Sequence, residues 1–191
     1  MKPTDNNDGW IAEAVDIVIE HLNKFGACVM DNFLGEKSGL KVLDEVLDLQ
    51  KLTVFQVMID FRIGVSHGHL LFQEGKLTSV KAEKSIRSDK VTWTDGSSED
   101  TPHINSLLDS IDTIVMTANK APNNGELGKY RINSRTKAMI ACYPGEGTHY
   151  VKHIDNPNKD GRCITAIYYL NRDWDPKVGY VTHINGLNDF H

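Results

Sequence analysis

Apolar residues recur at helical spacing in three stretches of the chain and at strand spacing in several others. Along 10–24, Ile11, Ala14, Val15, Val18 and Leu22 fall on one helical stripe, with Asp8 as candidate N-cap and Gly26 as a natural stop. ACVMDNFL then predicts a short strand over 27–30. Residues 37–51 carry Leu40, Leu43, Val46 and Leu47 on one face of a second helix. A third helix, 103–119, aligns Ile104, Leu107, Leu108, Ile111, Ile114 and Val115. Strands are predicted at 90–93, 130–133 and 136–143, the last two joined by a turn at Asn133-Ser134-Arg135, and again in CITAIYYL from Cys163. Residues 72–84, 96–101 and 121–128 read as loops. Residues 52–71, LTVFQVMIDFRIGVSHGHLL, are β-branched and aromatic and read as a strand or hairpin. Helices followed by strands predict an α+β fold in which helices buttress a sheet.

Composition narrows this to one domain. A chain of 191 residues with 40% hydrophobic content can bury one sizeable core. Its 21 basic and 26 acidic residues give −5, which argues against a nucleic-acid or anionic-membrane binder. Cys28, Cys142 and Cys163 are odd in number and lack C-x-x-C spacing, so buried thiols in a reducing compartment are expected rather than disulfides. No run approaches the roughly 18 apolar residues of a membrane span, and MKPTDNNDGW lacks a signal-peptide core. The expected location is cytoplasmic and/or nuclear.

The candidate chemistry lies in KAMIACYPGEGTHYVKHIDNPNKDGRCITAIYYLN. His153 and Asp155 are spaced H-x-D, and on a strand both side chains would share one face. An imidazole and a carboxylate so placed are two thirds of the 2-His-1-carboxylate triad that suits Fe(II) with open coordination positions. His67 and His69 form an H-x-H, but no acidic partner adjoins them, so they are not assigned to a metal.

ACYPGEGTHYVKHIDNPNKDGRCITAIYYLNRDW resembles the Egl-nine-type prolyl hydroxylases, which act on the hypoxia-inducible transcription factor. SIRSDKVTW, YRINSRTKAM, the first helix and ACVMDNFLG match the same family, so that the resemblance covers roughly 10–178 apart from 52–71. It implies a double-stranded β-helix (jelly-roll) core with supporting N-terminal helices. It also implies hydroxylation of proline at C4 with Fe(II), 2-oxoglutarate and O₂, ascorbate sustaining the iron, and a hypoxia-inducible-factor-alpha-type peptide as partner. Position by position, His153 and Asp155 fall on iron ligands. Tyr169, Tyr143, Ile167 and Met139 fall on the cosubstrate site, Tyr169 by its hydroxyl. Arg87, Asp89 and Trp93 match a segment that closes over the peptide, with Arg162 as the partner of Asp89.

The resemblance divides the chain at 1–136 (helical support and substrate loop), 137–178 (an incomplete oxygenase core) and 179–191 (a tail without family character). Two departures stand out. Residues 52–71 read as an insertion, an apolar aggregation liability at a helix-to-loop junction, and GYVTHINGLNDFH replaces the strands that would carry a second histidine ligand and a cosubstrate arginine. Both stretches suit intron-derived sequence. His183 and His191 are not expected to replace the ligand. The 191-residue chain is therefore expected to show no measurable 2-oxoglutarate decarboxylation. A non-catalytic decoy or an unstable product is the alternative.

Overall fold

The helices and the sheet meet on helix α3 (Pro102–Lys120). The computed structural model describes residues 7–49, 55–63, 89–143, 151, 153, 155–156 and 160–172. In chain order these form α1 (Asn7–Phe25), α2 (Gly35–Leu49), β1 (Phe55–Ile63), β2 (Lys90–Thr94), α3, a 3₁₀ turn (Gly125–Lys129), β3 (Ile132–Arg135), β4 (Ala138–Cys142) and β5 (Arg162–Tyr169). No described helix is long and apolar enough to cross a membrane.

The apolar stripes do what their spacing predicts. Ile104, Leu107, Leu108, Ile111, Ile114, Val115 and Ala118 of α3 are buried. One side of α3 joins α2 and the sheet in a cluster with Val42, Val46, Val57, Phe61 and Ile140. The other side meets Ala14, Val15 and Val18 of α1. Ile164 of β5 and Phe33 touch both clusters. Asp8, expected as the cap, lies inside α1, one residue past its start. Residues 27–30, expected as a strand, run between α1 and α2 without strand pairing; Cys28 and Met30 instead pack on the α1–α3 cluster.

Thr101 at the N-cap of α3 makes no side-chain cap bond. The Glu45 carboxylate, reaching across from α2, accepts from the backbone N–H of His103 at 2.8 Å and of Ile104 at 2.8 Å. A carboxylate at a helix N-terminus both pairs orphan donors and meets the positive end of the helix dipole. At the other end, Asn124 Nδ2 donates to the carbonyls of Ala118 at 3.1 Å and Asn119 at 2.7 Å.

The sheet bears out the strand read within 52–71, carries that reading further, and corrects another. Strand order is β2-β4-β1-β3, with β5 also paired to β1, and every pairing is antiparallel. The segment read as an insertion therefore supplies the central strand. Its residues 55–58 pair with β4, 61–63 with β3 and 56–62 with β5. Val57 and Phe61 are fully buried, so this part of the apolar run lies in the core rather than standing as an exposed liability. The correction is that β3 and β4 are not a hairpin. Asn133, Ser134 and Arg135 belong to β3, and the break falls at Thr136-Lys137. No residue from 132 to 142 has positive φ, which two-residue hairpin turns require, so the chain runs on along the same edge of β1. Arg135 fixes this junction: Nε donates to Asp112 Oδ2 at 2.8 Å, and its terminal nitrogens donate to the carbonyls of Asp95 at 2.8 Å and Thr136 at 3.0 Å.

Candidate metal centre and the sheet face of the expected cosubstrate residues

His153 and Asp155 come together, though not on a strand. Residues 151, 153, 155 and 156 have no regular structure, yet His153 Nε2 lies 3.1 Å from Asp155 Oδ1. The other ring nitrogen, Nδ1, is 2.9 Å from the Val151 carbonyl. A carbonyl only accepts, so Nδ1 carries the hydrogen and Nε2 is the nitrogen presented beside the carboxylate. Two donors each about 2.1 Å from one ion and at right angles are about 3.0 Å apart. The observed pair fits two neighbouring corners of an octahedral site. Among the described residues no group of three His, Cys, Asp or Glu side chains could hold a metal; His67, His69, His183 and His191 lie outside them.

Sequence reasoning missed the two residues that close the loop behind this pair. Asn156 Nδ2 donates to the Arg162 carbonyl at 2.9 Å, and Asn156 Oδ1 accepts from the Asp160 N–H at 3.0 Å. Asp160 in turn holds the Arg162 guanidinium, Nε donating to Oδ1 at 3.0 Å and Oδ2 at 3.2 Å. Gly161 turns the chain into β5 with φ of 91°, open to glycine because it has no Cβ. The signal was legible in NPNKDG, a run of turn-forming residues.

The expected cosubstrate residues share one face of the sheet. Register places Trp93 opposite Met139, Met139 opposite Met58, and Met58 opposite Ile167, in a row across four strands. The next row aligns Val91, Ala141, Gln56 and Tyr169 by backbone pairing. Tyr143 follows β4 with the same parity as Met139 and Ala141. The alternate parity belongs to the helix side, where Ile140 and Val57 are buried. Tyr168 is half-buried there, and burial pushes its phenol up from the usual value. Gly39 of α2 leaves room for its hydroxyl, since a Cβ at that position would stand 2.9 Å from it. On the first face Met139 is buried, while Trp93, Ile167 and Tyr169 are 40%, 39% and 50% exposed.

One of the expected substrate residues is not described, and one expected contact is not supported by the register. Arg87 lies outside the described residues. Asp89 precedes Lys90, whose partner Cys142 pairs with Phe55 at the Tyr169 end of β5. Arg162 is at the opposite end of β5, seven residues or about 23 Å away at ~3.3 Å per residue. The Asp89–Arg162 contact expected from the resemblance does not fit this register; Arg162 is clipped to Asp160.

Comparison with known proteins gives the class first. The model of the 2OG-Fe(II) oxygenase superfamily matches residues 138–185, which include β4, His153, Asp155 and β5. The chain is 44% identical to Egl nine homolog 1 of Homo sapiens over 167 residues, 86% of this chain and 34% of that protein. It is 40% identical to the prolyl hydroxylase EGLN3 of Mus musculus over 168 residues, 86% of this chain and 61% of that one. A solved prolyl hydroxylase from Trichoplax adhaerens, in complex with a hypoxia-inducible factor oxygen degradation domain peptide fragment, superposes with a TM-score of 0.70 at 35% identity. That match covers 92% of this chain and 70% of the other. The chain belongs to the Egl-nine-type prolyl hydroxylase family. It spans about a third of the length of the human relative and about three fifths of the mouse one.

Proposed function

We propose that this chain carries the metal- and cosubstrate-binding part of a peptidyl-proline 4-dioxygenase acting on a hypoxia-inducible-factor-alpha-type segment. The observation that carries this reading is the His153–Asp155 pair, set 3.1 Å apart at Nε2 and Oδ1, a separation that two donors to one metal ion can have. Fe(II), with 2-oxoglutarate and O₂, supplies the oxidising chemistry that places a hydroxyl on proline C4 as the cosubstrate becomes succinate and CO₂, with ascorbate sustaining the metal. His153 and Asp155 hold the ion, and the Val151 carbonyl fixes the imidazole so that Nε2 faces it. The face bearing Tyr143, Met139, Ile167 and Tyr169 takes the 2-oxoacid, the Tyr169 hydroxyl donating to its distal carboxylate. Apolar Met139 and Ile167 exclude water from its carbon chain, which strengthens every polar contact made there. Arg87, Asp89 and Trp93 border the peptide. Family membership supports a jelly-roll core around this sheet, and the composition supports a cytoplasmic and/or nuclear setting.

A non-catalytic, partner-binding role is the second reading, since at 3.1 Å the His153–Asp155 pair also has the geometry of an ordinary ion pair. Calorimetry on the chain with Mn(II), then 2-oxoglutarate, separates the two. The dioxygenase reading expects 2-oxoglutarate binding that needs both the metal and His153. Binding indifferent to metal, or no binding, refutes it. Mass spectrometry of a proline-containing peptide incubated with Fe(II), 2-oxoglutarate and ascorbate then asks whether one oxygen is gained.

A further inference from the structure

The residues assigned to the cosubstrate stand on two strands that β1 separates. Met139 belongs to β4, Ile167 and Tyr169 belong to β5, and β1 is hydrogen-bonded to both. With strands about 4.8 Å apart, β4 and β5 are about 10 Å from each other. A ligand reaching from the β4 side to Tyr169 must therefore lie over β1. At that crossing stands Met58, in register with Met139 on one side and Ile167 on the other. Val57 and Phe61, of opposite parity, are fully buried among the α2 and α3 residues of the core. Alternation consequently turns the half-buried Met58 side chain to the ligand face. The segment that supplies it is the one stretch, 52–71, that has no place in the family pattern.

We propose that Met58 is a specificity-determining residue, its thioether forming the floor on which the carbon chain of the 2-oxoacid rests and so setting the length that fits between Met139 and Tyr169. This inference rests on the 2-oxoglutarate reading above. Methionine is unbranched and polarisable and packs against a flexible aliphatic chain over a range of shapes. Shortening it opens space under the ligand, and one methylene in an apolar pocket changes discrimination by about 10–200-fold.

The test measures binding of 2-oxoglutarate and of 2-oxoadipate, one methylene longer, to the Mn(II)-loaded chain by calorimetry. Met58→Ala is expected to move the affinity ratio at least about tenfold toward 2-oxoadipate, while Met58→Leu leaves it near the unsubstituted value. Val57→Ala, on the same strand but facing the helices, is expected to lower the unfolding midpoint and leave the ratio unchanged. Should Met58→Ala fail to fold, Met58→Val shortens the same side chain and carries the same expectation. If the unsubstituted chain binds 2-oxoglutarate but the ratio does not move in the Met58 variants, or moves equally in Val57→Ala, the floor assignment fails alone. If the unsubstituted chain binds neither acid, it fails together with the cosubstrate reading.

Discussion

Replacing Phe61 by alanine asks whether β1 is part of this protein's core. Phe61 is fully buried, pairs in register with Ile164 and Arg135, and packs in the cluster that joins α2, α3 and the sheet. Truncating a buried phenylalanine removes its transfer free energy and leaves a cavity, together about 3–5 kcal/mol. A domain of this kind is stable by only about 5–15 kcal/mol. With a urea m-value of about 2 kcal/mol/M, the midpoint should fall by about 1.5–2.5 M. Urea denaturation followed by circular dichroism on Phe61→Ala and, for contrast, Met58→Ala gives the measurement. Met58 is half-buried on the opposite face, and its truncation should cost no more than about 2 kcal/mol, below the usual range for a fully buried methionine. A Phe61→Ala midpoint within about 0.5 M of the unsubstituted chain would mean that 55–63 is not the central strand, and the inserted segment would be a passenger on the family fold.

Other consequences can be checked separately. Glu45→Ala removes the carboxylate that caps α3 from another helix and should cost about 1–2 kcal/mol, with Glu45→Gln recovering part; equal stability of all three forms would show that the cap contributes nothing. Asn156→Ala or Asp160→Ala should weaken Mn(II) binding by about 10–100-fold by loosening the loop behind His153 and Asp155, without a matching loss of helix signal; unchanged affinity would remove these residues from the site. The phenol of Tyr168 is shifted up by burial. The stability linked to its neutral form is thus fully present below the unfolded-state value near 10 and declines as pH rises through the folded-state value. Tyr168→Phe should flatten that alkaline loss in thermal melts, and an unaltered slope would contradict it.

What the sequence determined by itself was mostly local. Helical spacing located α1, α2 and α3 to within three residues at each end, because one apolar stripe per helix has one way to be buried. The alternation that sets Ile167 with Tyr169 and Met139 with Tyr143 was equally legible, since side-chain direction in a strand repeats every two residues, whereas His153 and Asp155 meet without being on a strand. The cap on α3 was not, because Glu45 lies 58 residues from His103 and no local pattern joins them. Nor was the strand order. Residues 55–63 read as apolar and extended but foreign to the family pattern, and only pairing with β3, β4 and β5 made them the centre of the sheet. The same pairing separated Asp89 from Arg162, which a positional comparison had joined. Local pattern fixes which way a side chain points, while long-range hydrogen bonding decides what it points at. In this chain that second decision put Met58 between Met139 and Ile167.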